Sequence, residues 1–126
     1  MSLDIKVIKK RDYVYSIELT GSLDNDTASD LEAELKEIID EKTKVVMFDM
    51  SNVEYVSSAG IRVVMLAKKT LEQKQAKFAM VNLKPQIEKV FEVVKILPMI
   101  DIFDDMPEAD KYIDQMIKDE LEKQNT

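Results

Sequence analysis

The stretch that decides the fold is VVMFDMSNVEYVSSAGI, residues 45–61. It opens on an unbroken apolar run, Val45–Phe48, which is typical of a central strand buried on both faces of its sheet. It closes on Ser57-Ser58-Ala59-Gly60, which sets two small hydroxyl groups and one of the chain's two glycines before a helix that begins near Ile61. We therefore predict a buried strand, a short turn and a helix, with the function in the turn.

The turn before this helix suits a negatively charged group. The first backbone N–H groups of a helix have no partner within the helix and carry the positive end of its dipole, so they favour an anion placed beside them. A phosphate on Ser57 or Ser58 would lie at that position, and the pattern thus indicates a phosphorylation switch. The simpler interpretation, in which the serines only cap the helix, stays open and is compatible with the switch.

Upstream of this stretch the sequence predicts two strands joined by a polar turn. Apolar residues alternate over Leu3–Val7 and again over Tyr13–Leu19, and the turn between them is Lys9–Asp12. Gly21 is predicted to end the second strand. Ser22–Thr27 is predicted to form a loop, because it is rich in residues that cap helices.

The remaining elements follow from hydrophobic spacing. A helix over Ala28–Ile38 is predicted because apolar residues recur there every three or four positions, and Thr27 with Asp30 resembles a capping box at its start. Later elements are a strand over Phe78–Leu83, a helix from Pro85 that stops at Pro98, a strand over Ile100–Phe103 and a C-terminal helix over about residues 107–122, with fraying over Glu122–Thr126. The order β-β-α-β-α-β-α-β-α predicts one α/β domain over residues 1–126 with a mixed sheet.

Composition excludes several classes of function. The 126 residues carry a net charge of -7, which argues against nucleic-acid and lipid-headgroup binding because both need a basic face. The chain has neither cysteine nor histidine, so it lacks thiolate metal sites, a cysteine nucleophile and the commonest general base. No apolar segment approaches the roughly 18 residues of a membrane span, and the first residues do not resemble a signal peptide. We expect a cytoplasmic protein with no membrane, metal or cofactor.

Three motifs resemble those of the STAS domain family, and within it the stand-alone anti-sigma factor antagonists. The motifs are Gly21-Ser22-Leu23-Asp24, Asp49-Met50-Ser51 and Tyr55-Val56-Ser57-Ser58-Ala59-Gly60-Ile61, and their spacing also fits. The resemblance covers about residues 1–110. It implies an α/β fold of STAS type, with a mixed β-sheet and helices mainly on one face.

The resemblance also implies a function. In that family the serine two residues before the glycine is phosphorylated by a partner anti-sigma factor that acts as a kinase, and a separate serine phosphatase restores it. Counting back from Gly60, the implied acceptor is Ser58, with Ser57 as second choice at a position where many members carry aspartate. The unphosphorylated form, a monomer when free, would bind the anti-sigma factor and release a sigma factor. The implied partner-binding residues are Asp24, Asn25, Ser57, Ser58, Ala59, Gly60, Ile61 and Arg62.

Three other functions compete with this interpretation. A receiver domain phosphorylated on Asp49 would need a lysine after its last strand, where the chain has Asp104-Asp105. Asp49 is instead predicted to hydrogen-bond within the turn that presents the serines. An enzyme with a serine nucleophile and a lysine base would need a lysine in a suitable motif, and none is present. A STAS regulatory subunit of a transporter or of a larger signalling complex fits the same residues and stays open.

Overall fold

The computed structural model describes residues 2–124, which form five strands and four α-helices. The strands are β1 (Leu3–Arg11), β2 (Val14–Leu23), β3 (Val45–Val56), β4 (Lys77–Val81) and β5 (Asp101–Phe103). The helices are α1 (Ala28–Ile38), α2 (Ser58–Gln73), α3 (Pro85–Val93) and α4 (Met106–Gln124), with a short 3-10 turn at Leu97–Met99. The elements follow one another along the chain in the predicted order.

The strand β3 lies in the middle of the sheet. The spatial order is β1-β2-β3-β4-β5, with β1 antiparallel to β2 and all other neighbours parallel. The four residues of the apolar run, Val45–Phe48, each have 0% of their surface exposed, as predicted for a strand that is covered on both faces. The mixed sheet is therefore confirmed.

Each face of the sheet has its own core. Val46 and Phe48 belong to the larger core, which the buried residues of α1, α2 and α3 complete. Because successive side chains of a strand point to opposite faces, Val45 and Met47 point the other way and meet α4, including Ile113. Three helices thus cover one face and a single helix covers the other, which confirms that the helices lie mainly on one face.

The first hairpin differs from its prediction. Strand β1 extends to Arg11, so the turn shrinks to residues 12–13. Gly21 does not end β2, because its φ of 121° lets the strand continue while Ser22 donates its N–H to the Ser2 carbonyl at 3.1 Å. A Cβ on Gly21 would lie 2.3 Å from that same oxygen, so no side chain fits there. The prediction of a loop beginning at Ser22 is accordingly wrong by two residues.

The next two strands also differ in length from the apolar patterns that predicted them, since β3 extends well beyond the run Val45–Phe48. Strand β3 continues to Val56, because it stays paired with β2 as far as Leu23. Strand β4 stops at Val81 rather than at Leu83, since Asn82 adopts a left-handed φ of 60° that no regular strand accommodates. Both differences come from backbone conformation and pairing, which hydrophobic spacing does not report.

Helix α3 ends at Val93 and not at Pro98. Lys95 has a left-handed φ of 64°, which terminates the helix, and its N–H bonds back to the Glu92 carbonyl at 3.0 Å. Pro98 lies instead in the 3-10 turn that leads to β5. The predicted start of this helix at Pro85 is confirmed, with proline at the first helical position.

Helix α4 contacts the sheet through one stripe. Ala109 and Ile113 are buried, whereas Leu121, which has the helical spacing of the same stripe, is 56% exposed because the smaller core ends at Ile117. The fraying predicted for Glu122–Thr126 does not begin at residue 122, since residues 122–124 are helical. Residues 125 and 126 lie outside the described residues.

Two ion pairs join α4 to β1, near the other end of the chain. Lys10 meets Asp110 at 3.1 Å, and Arg11 meets Asp114. Exposed ion pairs of this kind contribute about 0–1 kcal/mol each. The position of α4 therefore depends mainly on its buried residues, and the two ion pairs help to orient the helix relative to β1.

Candidate functional site

Two of the three sequence motifs meet at one edge of the sheet. Strands β2 and β3 are parallel and paired from end to end, with Leu23 opposite Val56. The residues that follow, Asp24 and Ser57, therefore lie beside each other where the two strands end. The backbone N–H of Ser57 donates to the Leu23 carbonyl at 2.9 Å, which extends the pairing into the turn. This edge is the candidate site.

Gly60 brings the first turn of α2 close to the end of β2. It is buried, and a Cβ at this position would lie 2.6 Å from the Leu23 carbonyl oxygen and 2.8 Å from the Leu23 Cγ. Distances this short are not found for real Cβ atoms, so only glycine allows the helix to start here without displacing β2. Gly60 therefore positions the turn, although the resemblance implied it as a partner-binding residue.

Ser57 is the N-cap of α2. Its φ and ψ are -88° and 175°, and its Oγ accepts a hydrogen bond from the Gly60 N–H at 3.3 Å. Its carbonyl accepts the first helical hydrogen bond, from Ile61, at 2.9 Å. Because Ser57 caps the helix, α2 begins at Ser58, three residues before the predicted start near Ile61. The Ser57 side chain is partly buried and already engaged.

Ser58 is the first residue of α2 and is exposed to solvent. Within residues 2–124 its hydroxyl has no hydrogen-bond partner, and the first turn of α2 carries no acidic residue. The hydroxyl is thus free, accessible and next to the positive end of the α2 dipole. Of the two adjacent serines, Ser58 is the one whose oxygen can accept a new group without breaking an existing contact.

Asp24 shapes the neighbouring loop. Its Oδ1 accepts hydrogen bonds from the N–H groups of Asp26 at 2.9 Å and Thr27 at 3.2 Å. The Thr27 hydroxyl donates to the Ser22 carbonyl at 2.8 Å and accepts from the Asp24 N–H at 3.0 Å. The predicted capping box is therefore wrong, because the Thr27 side chain bonds backward to β2 rather than forward into α1. Asn25 is exposed at the tip of this turn.

The other predicted partner-binding residues divide by exposure. Arg62 is exposed, and its guanidinium lies 3.9 Å from the Glu32 carboxylate on α1. Ala59 and Ile61 are partly buried and pack against the larger core. The exposed members of the set are therefore Asn25, Ser58 and Arg62, and the remainder support the turn that presents them.

Asp49 lies away from the serine turn. Its Oδ1 accepts from the Ser51 N–H at 3.1 Å and from Asn82 Nδ2 at 3.2 Å, which links β3 to the residue after β4. The prediction that it bonds within the turn is wrong, because β3 runs on from Asp49 to Val56 before the turn begins. The motif Asp49-Met50-Ser51 thus links β3 to the residue after β4 and takes no part in the candidate site.

Sequence reasoning missed Tyr55 as a surface feature. It was noted only as part of a motif, yet its side chain is 49% exposed at the end of β3. Its neighbours Val53 and Val56 are buried, and Glu54 pairs with Lys84. An aromatic residue that follows a charged one at the end of a buried strand is the signal that could have revealed it.

The described residues contain neither a metal-binding cluster nor a membrane-spanning helix. Between residues 2 and 124, no group of three or more histidine, cysteine, aspartate or glutamate residues is arranged to hold a metal ion. Over the same range, none of the helices has the length and apolar character required to cross a bilayer.

A mixed five-stranded sheet whose central strand leads through a capped serine turn into a helix defines a STAS-type regulatory domain. The family model described as STAS domain matches residues 6–109, and the chain belongs to this family. A curated relative is BtrV of Bordetella bronchiseptica, whose name assigns it provisionally as an anti-sigma factor antagonist. It is 37% identical over 84 residues, which are 67% of this chain and 72% of BtrV. Anti-sigma factor antagonists of this family are regulators and not enzymes.

Solved structures share the fold at lower identity. The anti-sigma factor antagonist SpoIIAA of Bacillus, in its unphosphorylated form, has a TM-score of 0.77 at 18% identity, over 89% of this chain and 97% of that one. A sulfate transporter family protein from Wolinella succinogenes has a TM-score of 0.76 at 17% identity, over 90% of this chain and 93% of that one. At these identities the likeness establishes the fold alone.

Proposed function

We propose that the chain is an anti-sigma factor antagonist that is switched off by phosphorylation of Ser58. In this proposal the unphosphorylated protein, a cytoplasmic monomer when free, binds an anti-sigma factor and thereby releases a sigma factor. The anti-sigma factor acts as the serine kinase, and a serine phosphatase restores the hydroxyl. The observation that carries the proposal is the free, exposed Ser58 hydroxyl at the start of α2.

The contrast between the two serines supports Ser58 as the acceptor. Phosphorylating Ser57 would remove the oxygen that now caps the Gly60 N–H at 3.3 Å, and its side chain is partly buried. Phosphorylating Ser58 breaks no hydrogen bond and leaves the cap in place. A kinase must also reach the hydroxyl, which favours the exposed residue.

The same geometry explains how a phosphate would act on a partner and not on the fold. A phosphoserine adds about -1.5 to -2 charges and three acceptor oxygens. The α2 dipole favours that charge, so the turn itself need not rearrange. A partner surface that covers Ser58 would instead face a strongly hydrated dianion. Coupling free energies of such switches are roughly 1–3 kcal/mol, or about 5- to 150-fold in affinity.

The relatives favour this pathway. BtrV, at 37% identity, is named provisionally as an anti-sigma factor antagonist, and SpoIIAA has been solved in both an unphosphorylated and a phosphorylated form. We extend both properties to this chain because its turn keeps a serine two residues before Gly60. The partner-binding residues proposed are those of the turn and the Asp24 loop, with Asn25 and Arg62 as exposed contacts.

The test is phosphate transfer from the anti-sigma factor kinase encoded nearest to this gene. Wild type, Ser58→Ala and Ser57→Ala are incubated with the kinase and labelled ATP, and the phosphosite is mapped by mass spectrometry. We expect incorporation in wild type and Ser57→Ala, and none in Ser58→Ala. Equal incorporation in wild type and Ser58→Ala would contradict the proposed acceptor.

A second function is favoured by one observation. The Wolinella succinogenes protein of similar fold belongs to a sulfate transporter family, so a regulatory domain acting on a transporter is the alternative. The antagonist and the transporter regulator differ in the partner that each would bind. Affinity capture with wild type and Ser58→Asp distinguishes them, because an anti-sigma factor lost selectively from Ser58→Asp supports the first, and a membrane transporter retained by both supports the second.

A further inference from the structure

One aromatic side chain near the serine turn is half exposed to solvent. Tyr55 is 49% exposed, and within residues 2–124 its hydroxyl has no hydrogen-bond partner and its ring stacks on no other ring. Its neighbours Val53 and Val56 are both buried, so the end of β3 is anchored in the larger core by these two side chains. A half-exposed tyrosine on a rigid strand loses little conformational entropy when a partner covers it.

Tyr55 lies within reach of an interface that covers Ser58. The two residues are three apart in sequence, so their Cα atoms are at most about 11 Å apart. A stable interface buries about 800 Å² on each partner, which corresponds to a patch of about 16 Å radius. An interface of this size centred on Ser58 is therefore wide enough to reach Tyr55.

Two ion pairs lie near this edge. Glu54 pairs with Lys84, and Arg62 lies against Glu32. The Asp24 carboxylate is occupied by two backbone N–H groups. Among the large hydrophobic side chains that are exposed, Tyr55 is the one that lies at this edge, so the aromatic ring is the apolar element that the edge offers to a partner.

We propose that Tyr55 is the apolar anchor of the anti-sigma factor, and that the partner presents an apolar pocket to it. This inference rests on the proposed function. It also gives a physical cause for release of the partner. An apolar pocket can close around Tyr55 only if the neighbouring surface loses its water. A phosphate on Ser58 is strongly hydrated and prevents that loss of water. Release then comes from desolvation and not from repulsion between like charges.

The first test measures the affinity of the anti-sigma factor kinase that phosphorylates the chain, by calorimetry. We expect Tyr55→Ala to weaken binding at least about tenfold and Tyr55→Phe to change it by less than about threefold. The matched control is Tyr13→Ala, since Tyr13 is 39% exposed at the opposite edge of the sheet, about 35 Å away. Thermal unfolding of each variant verifies that the fold is unchanged.

The second test separates desolvation from charge repulsion. The affinity ratio of unphosphorylated to phosphorylated protein is measured at 0.1 M and 1 M salt, where the Debye length falls from about 10 Å to about 3 Å. Desolvation predicts a ratio that stays constant within about twofold. A ratio that falls toward one at high salt overturns the desolvation mechanism.

The outcomes distinguish this inference from the function on which it rests. If Tyr55→Ala binds like wild type while phosphorylation still releases the partner, the anchor is overturned and the switch stands. If phosphorylation itself leaves binding unchanged, the proposed function fails. If Tyr13→Ala weakens binding as much as Tyr55→Ala, the interface lies elsewhere and the anchor is overturned.

Discussion

At the scale of single residues, two adjacent serines have different structural roles. Ser57 closes the start of α2 with its side chain, and Ser58 presents a free hydroxyl one position later. Which serine caps α2 and which one is free depends on the residue at which the helix starts. Helical spacing predicts that α2 starts near Ile61. The sequence therefore indicates Ser57 and Ser58 as a site, but it does not show which serine caps the helix and which has the free hydroxyl.

We predict opposite effects of alanine at these two positions. Ser57→Ala removes the cap and should lower the free energy of unfolding by about 1 kcal/mol, whereas it leaves phosphorylation intact. Ser58→Ala should change the free energy of unfolding by less than about 0.5 kcal/mol while phosphate incorporation is lost. Urea unfolding beside the kinase assay measures both. A larger loss of stability from Ser58→Ala than from Ser57→Ala would contradict the assignment.

Gly60 gives a second prediction at this scale. Alanine in place of a helical glycine normally stabilises by about 1 kcal/mol. Here the added Cβ would lie 2.6 Å from the Leu23 carbonyl oxygen, a backbone atom held in β2. We expect this overlap to outweigh the gain, so Gly60→Ala should destabilise by about 1–3 kcal/mol in urea unfolding. A stabilised Gly60→Ala variant would show that the first turn of α2 can move away from β2.

At the scale of elements, two loops of the chain share one turn design. The Asp40 Oδ1 accepts from the N–H groups of Lys42 and Thr43, and Thr43 Oγ1 donates back to the Ile38 carbonyl. Asp24 and Thr27 form the same set of bonds at the candidate site. The N–H of Lys42 holds the pKa of the Asp40 carboxyl below its ordinary value, so the ionised form supports the turn. Asp40 lies before β3, at the opposite edge of the sheet.

This duplicated turn provides a matched pair of variants. Asp24→Ala and Asp40→Ala remove the same hydrogen bonds and should lower the free energy of unfolding by similar amounts, about 1 kcal/mol each. Only Asp24→Ala should weaken binding of the anti-sigma factor, because only that turn borders Ser58. Calorimetric titration of both variants makes the comparison. Equal losses of affinity would mean that Asp24 acts through stability alone.

The same scale shows what sequence could and could not predict. Apolar spacing predicted the type and order of all nine elements, since it reports which face of each is buried. It missed their ends, because these depend on backbone features such as the left-handed Asn82 and Lys95 and the close approach at Gly21. At the candidate site, the two serines and Gly60 were predicted by local pattern and family resemblance, whereas the exposure of Tyr55 depends on the twist and pairing of β3.

At the scale of the whole molecule, the switch adds charge to a protein that is already acidic. Phosphorylation changes the net charge from -7 to about -9. General self-repulsion opposes folding, whereas the α2 dipole favours the new charge. The two effects offset each other, so the modification should leave the architecture intact.

We therefore predict that phosphorylated and unmodified protein differ in Tm by at most about 5 °C, which corresponds to about 1 kcal/mol in a domain of this size. Circular dichroism should give the same helix and strand content for both forms. Differential scanning calorimetry of protein phosphorylated to completion is the measurement. A drop in Tm of more than about 10 °C would mean that the phosphate disrupts the fold itself, and partner release would then follow from unfolding.

The contacts of α4 with β1 and with the sheet determine when the fold can be completed during translation. Strand β1 is synthesised before α4, but its Lys10 and Arg11 bind carboxylates about a hundred residues later, and α4 covers Val45 and Met47. Until α4 has left the exit tunnel, that face of the sheet remains open to water and available to chaperones. The smaller core can therefore close only after residues 106–117 have emerged, because α4 supplies its Ala109 and Ile113.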